Sequence, residues 1–211
     1  MPLNDRVLRL TVVKNPEFKR VLVAGVRPYI KKDFEEEKGE FFKAFDEDPV
    51  SEEIKDGPEA SSHVSELKEN GGNLFSLLGF FKEQQPIEQL RDYLESNIVL
   101  GQTEAGKVDG DKIVFTTPVL APTEEEINAV VASLDETKLQ WTNRSFTELL
   151  ANGISGLPNY LFSLTRDFSH IPSRSGPAIQ DKKKQRDADL GPIPYLERLL
   201  GVLTKIFSNR Q

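Results

Sequence analysis

Asn97-Ile98-Val99-Leu100-Gly101-Gln102-Thr103 and Lys112-Ile113-Val114-Phe115-Thr116-Thr117 flank the segment Gly106-Lys107-Val108-Asp109-Gly110. Both flanks are rich in β-branched and aromatic residues, which suit a pleated, half-buried surface. The Asp109-Gly110 pair suits a tight reversal. The spacing therefore predicts a β-hairpin over about 97–117. On either side the apolar period is helical. Upstream, Pro86 opens a helix with Ile87, Leu90 and Leu94 along one face. Downstream, Thr123-Glu124-Glu125-Glu126 has the pattern of a capping box, in which threonine and glutamate satisfy each other's backbone N–H groups. The helix it starts carries Ile127, Val130, Val131 and Leu134 inward. A small antiparallel sheet among helices defines an α+β class.

Working outward, Arg6 to Val13 reads as a strand or an extended arm. Asn15-Pro16 is a helix-start signal, a cap followed by a proline at the first helical position. Phe18, Leu22, Val26, Ile30, Phe34, Phe41 and Phe45 then recur near helical spacing. Pro28 interrupts or kinks that run, because it lacks an amide donor and crowds the preceding turn. Two helices or one bent helix, ending near Asp46, are expected. A further short helix starts at Asp48-Pro49 and stops at Gly57-Pro58, and residues 59–73 read as a loop. Residues 138–142 are a further strand candidate. Phe146, Leu149 and Leu150 suggest a short helix closed by Asn152-Gly153, with a break at Gly156 and Pro158. Residues 173–188 are polar and basic, an exposed loop or edge strand. Pro194 leads into a terminal amphipathic helix. The expected fold is N-terminal helices packed with a small antiparallel sheet, plus that C-terminal helix. It forms a single domain over 1–211, with a helical part (16–57), a mixed body (74–162) and a loop-plus-helix arm (173–211).

Composition excludes several function classes. The 211 residues include no cysteine, which removes disulfides, thiolate metal sites and cysteine nucleophiles. Two histidines, His63 and His170, do not make a histidine-rich metal centre. No apolar run approaches the roughly 18 residues of a membrane span, and Met1 to Arg6 lacks a secretory h-region. A chain made in the cytosol is expected. The net charge of −7, from 27 basic and 34 acidic side chains, disfavours wholesale nucleic-acid binding. Between Asp33 and Glu59 twelve acids stand against three lysines, whereas Thr165 to Gln211 carries nine basic residues against five acids. Such runs are solvated faces or complementary surfaces that meet between copies, and contact with nucleic acid or anionic lipid is a third alternative for the basic tail.

No constellation selects a catalytic centre. Glu124, Glu125 and Glu126 are explained by the helix dipole. Asp109-Gly110-Asp111 lacks the ligands of a calcium loop, and Gly71-Gly72-Asn73 lacks the lysine and hydroxyl of a phosphate loop. Ser62-His63 adjacency says nothing of triad geometry. The expectation is a non-enzyme with no cofactor and no metal. Two apolar segments are candidates for contact. The run 74–81 (Leu74, Phe75, Phe80 and Phe81) is either core or an inter-subunit surface. The terminal stripe of Leu196, Leu199, Leu200, Leu203, Ile206 and Phe207 packs on its own domain, docks on a neighbouring subunit, or lies on a membrane. Arg198, Lys205 and Arg210 are too few for strong attraction to anionic lipid.

Three local patterns, taken together, carry a resemblance. They are Gly72-Asn73-Leu74-Phe75-Ser76 with Gly79-Phe80, then Trp141-Thr142-Asn143-Arg144-Ser145 with Gly153-Ile154-Ser155-Gly156-Leu157, and Ser173-Arg174-Ser175-Gly176 with Ile179-Gln180. Together with the 17–46 helix, the segment 48–54 and Pro194-Tyr195-Leu196, they resemble small virion structural proteins of tailed bacteriophages, of the neck or tail-completion type. The resemblance implies a ring-forming protein without catalytic residues, at the head–tail junction or tail end. Its partners would be its own copies and neighbouring virion proteins (connector, tail tube or sheath). It would be assembled in the host cytoplasm and would let DNA pass without specific binding or membrane contact. An acidic cluster at Glu35, Glu36, Glu37 and Glu40 would face the channel and repel phosphates. The alternative is a non-viral cytosolic adaptor or regulatory binding module that docks through the 74–81 run.

Overall fold

The structure, a computed structural model, describes residues 16–63, 73–109, 112–137, 139, 143–153 and 191–208; for 106–109 and 112 only the backbone is described. The strand candidate at 6–13, the break at 154–162 and the basic segment 173–188 lie outside these residues, as does nearly all of 138–142. Among the described residues, seven α-helices and four short strands form a mixed, mostly helical α+β fold. The chain divides into two compact units.

Unit 1 comprises residues 1–40 and 97–121. Its main element is α1, a helix over Pro16–Asp46 whose last turns belong to unit 2. Pro28 stands inside α1, and the helix continues through it as one element. Pro28, which has no amide donor for the Ala24 carbonyl, is exposed, as is Ala24. The ends of α1 obey the dipole, with Glu17 in the first turn and Lys43 in the last.

The hairpin differs in register from the sequence reading. β1 (Val99–Leu100) pairs antiparallel with β4 (Val119–Leu120), and β2 (Glu104–Asp109) with β3 (Lys112–Thr116). Asp109 faces Lys112, and Gly106, Lys107 and Val108 belong to a strand. Gly106 reads as a turn residue in sequence, but it sits where the register shifts between Ala105 and Val108. There β2 takes three steps against two on β3, the signature of a bulge. The inner and outer pairs are joined by Gly101 N–H donating to the Pro118 carbonyl (2.8 Å) and the Thr117 hydroxyl donating to Thr103 Oγ1 (2.9 Å). A Cβ on Gly101 would stand 2.7 Å from Pro118 Cγ, so this approach requires glycine. Phe34 and Ile98 are buried in unit 1, and Lys38 Nζ donates to the Ile98 carbonyl at 3.0 Å. Leu22, Val26 and Ile30 are only half-buried.

Unit 2, residues 41–96 and 122–211, holds the larger core. It contains α2 (Pro49–Lys55), a 3₁₀ turn at Gly57–Glu59, α3 (Leu74–Leu78), α4 (Pro86–Asn97, whose last residue is in unit 1), α5 (Glu124–Val131), α6 (Phe146–Asn152) and α7 (Tyr195–Ser208). Caps fix most boundaries. Asp48 accepts from Val50 N–H, Asn73 from Ser76 N–H and Ser145 from Glu148 N–H, and the Thr123–Glu126 capping box is complete. Gly79 closes α3 in the left-handed region, at φ 78°. Phe75 packs at a tilt on Phe80, and Phe80 packs edge to face on Phe146, with centroids 5.4 and 5.5 Å apart. Ile87, Leu90 and Leu94 of α4 and Ile127 and Val131 of α5 are buried, whereas Val130 and Leu134 are only half-buried.

Candidate docking surface

The sequence candidates fall into two groups. Leu74, Phe75 and Phe80 are fully buried in unit 2, and Leu196, Leu199 and Leu203 nearly so. Side chains enclosed by their own chain are not offered to a partner, which corrects their assignment to an interface. Phe81, Leu200, Ile206 and Phe207 remain half-buried. The four glutamates also separate. At about 100° per residue, a run of neighbours is spread around a helix. Glu35, Glu36 and Glu40 are exposed and Glu37 is half-buried, so they do not form the single acidic face expected of a channel lining.

The buried polar groups of unit 2 act as fasteners. Glu53 is 1% exposed and accepts from Leu74 N–H (2.6 Å) and His63 N–H (2.8 Å). The Asn73 amide donates to the carbonyls of Gly57, Pro58 and Ala60. Thr147 and Ser145 share Asn128 Oδ1, at 2.6 and 2.8 Å. Tyr195 meets Ser51 at 2.8 Å, and burial pushes its phenol well above the usual tyrosine value, partly offset by the Ser51 hydrogen bond. Burial and the charge of Glu126 raise Tyr93 as well. Among the described residues no group of three or more His, Asp or Glu is placed to hold a metal, and no helix is long and apolar enough to cross a membrane.

Unit 1 is different. The large apolar side chains that stand exposed among the described residues, Val21, Tyr29, Val99, Val114 and Leu120, all belong to it. It also contains an open groove of about 900 Å³. Val23, Ala24 and Pro28 of α1 form one side of the groove, and Thr103, Glu104 and Ala105 the other. Lys19, Arg20, Arg27 and Lys31 rim it, and among the described residues these four cations make no ion pair. Arg27 and Lys31 are four residues apart on one helix face, where like charges are mildly destabilising. Sequence reading missed this surface because only the acidic run and the basic tail were weighed. Its signal was present: residues 17–32 contain five basic residues against Glu17.

No family model, curated protein or solved structure matches the chain. The reading of this surface therefore rests on its own chemistry.

Proposed function

We propose that this protein is a structural component of a tailed-bacteriophage virion, a ring-forming subunit at the head–tail junction or tail end that works through contacts between subunits. One observation carries the reading. Among the described residues, the exposed large apolar side chains and a cluster of four unpaired cations (Lys19, Arg20, Arg27 and Lys31) lie on unit 1, while most buried polar side chains of unit 2 are engaged in intrachain hydrogen bonds. A thinly covered unit with exposed Tyr29 and Val21 gains most by being covered in an assembly. The patches around Asn73, Ser145 and Tyr195 that carry the resemblance contain caps and core contacts, the parts a scaffold keeps. In this reading the partners are copies of the chain and neighbouring virion proteins, in the virion.

The test is immunogold labelling and quantitative mass spectrometry of purified particles from the source culture. Label at the head–tail junction or tail end, in a fixed copy number typical of a ring, supports the proposal. A chain expressed in the culture but absent from its particles overturns it.

A further inference from the structure

α1 carries a second surface on another side. Tyr29, Asp33, Glu36 and Glu40 recur at i, i+4, i+7 and i+11, so they form one stripe. Tyr29 is 73% exposed, and Asp33, Glu36 and Glu40 are exposed. Among the described residues, Glu36 pairs with the solvent-facing Lys32, at 3.6 Å, a pair of little energetic weight. The groove and the stripe match in three respects. One is a cationic rim on an apolar floor, the other an aromatic anchor followed by carboxylates. They are of similar length, Lys19 to Lys31 spanning twelve residue steps and Tyr29 to Glu40 eleven, or about 18 and 16 Å of helix. The dipole does not explain the segregation, because the helix ends already carry the charges it favours.

We infer that the groove of one copy receives the Tyr29–Glu40 stripe of a second copy. Tyr29 inserts over Val23, Ala24 and Pro28 beside the arginines, a cation–π arrangement, and the carboxylates meet Arg20, Arg27 and Lys31. The N-terminal segment 1–15 is a poorer occupant on charge, with Arg6, Arg9 and Lys14 against Asp5. Nucleic acid is also disfavoured, by Glu104 inside the groove and by the net charge of −7.

The two surfaces lie roughly 150° apart around α1. They cannot both take part in one twofold contact, which uses the same patch on each partner. The contact is therefore head to tail, the kind that closes into a ring or runs on as a filament. It gives the stripe a subunit contact in place of a channel lining. The contact itself stands on α1 and the hairpin; its closure into a ring rests on the function proposed above.

The experiment uses two full-length variants, checked for folding by circular dichroism. One reverses the groove (K19E, R20E, R27E, K31E) and the other the stripe (D33K, E36K, E40K). Sedimentation velocity is expected to show concentration-dependent oligomers for the wild type. Each variant alone should self-associate at least about 100-fold more weakly, since like charges then face each other. An equimolar mixture should assemble again with the two variants alternating, an outcome that misfolding cannot produce. A wild type that stays monomeric at millimolar concentration overturns the inference, and so do variants that assemble like the wild type. Binding of duplex DNA that the groove variant loses, without self-association, overturns it in favour of a phosphate ligand. Complementation by a chain absent from particles would uphold this contact while removing the virion reading; location in particles with no effect of either variant would do the reverse.

Discussion

Arg198 on α7 grips Asp48 with two arms of its guanidinium, Nε 2.8 Å from Oδ2 and Nη2 2.8 Å from Oδ1. The same carboxylate accepts from Val50 N–H at 3.0 Å and so caps α2. One nearly buried side chain thus starts a helix and holds the terminal helix.

Replacing Asp48 by alanine removes both roles. The cap contributes about 1 kcal/mol and a partly exposed bidentate pair about 1 more. Asp48→Asn keeps an oxygen for the cap and loses the charge, so it should cost about half as much. Urea unfolding of Asp48→Asn, Arg198→Met and the double variant isolates the pair. A coupling free energy near zero would show that Arg198 adds nothing to the cap.

Tyr195 sets a limit at alkaline pH. Its folded pKa lies above the unfolded value of about 10, so the chain keeps full stability below that pH. Above it the unfolded state ionises while the buried phenol stays protonated. Stability then falls, approaching about 1.4 kcal/mol per pH unit. Tyr195→Phe should lower stability at pH 8 by about 1 kcal/mol, because Ser51 loses its partner, yet flatten the decline between pH 10 and 11. Equal slopes for both proteins would refute the assignment.

Glu53 should be costly to remove. Alanine there leaves the Leu74 and His63 amides without their acceptor, a loss of about 3 kcal/mol, while glutamine retains one acceptor and loses less. Hydrogen exchange at the Leu74 amide reads this directly. Protection unchanged in Glu53→Ala would contradict the fastener.

Two glycines should respond with opposite signs. Gly101→Ala drives a methyl into Pro118 and should cost about 1–3 kcal/mol, with faster exchange of the Gly101-position amide. Gly39 lies within α1 with open space where a Cβ would stand, so Gly39→Ala should raise stability by about 0.5–1 kcal/mol. Thermal melts of the two variants moving in the same direction would show that local packing does not decide the outcome.

Local chemistry was the legible part of this sequence. Asp48-Pro49, Thr123 to Glu126 and Asn152-Gly153 mark real boundaries because a cap acts within three or four residues. The hairpin was found but displaced, since Gly106 signals a turn and a bulge equally well. The apolar run 74–81 announced burial without saying whose side chains would cover it; α2 and the 3₁₀ turn do so in part. The groove was harder to see. Its cations are spread over twelve sequence steps, from Lys19 to Lys31, and its opposite wall comes from residues 103–105. Only a helix and a strand brought side by side make them one surface.

The fasteners also differ in how far they reach along the chain, and this bears on the order of folding. Glu53 to Leu74 spans 21 residues and Asn73 to Ala60 only 13, loops that close early and at small entropic expense. The Asp48–Arg198 grip spans 150. Weakening the short-range clasp should therefore slow the refolding arm of a chevron plot, whereas weakening the long-range grip should chiefly speed the unfolding arm.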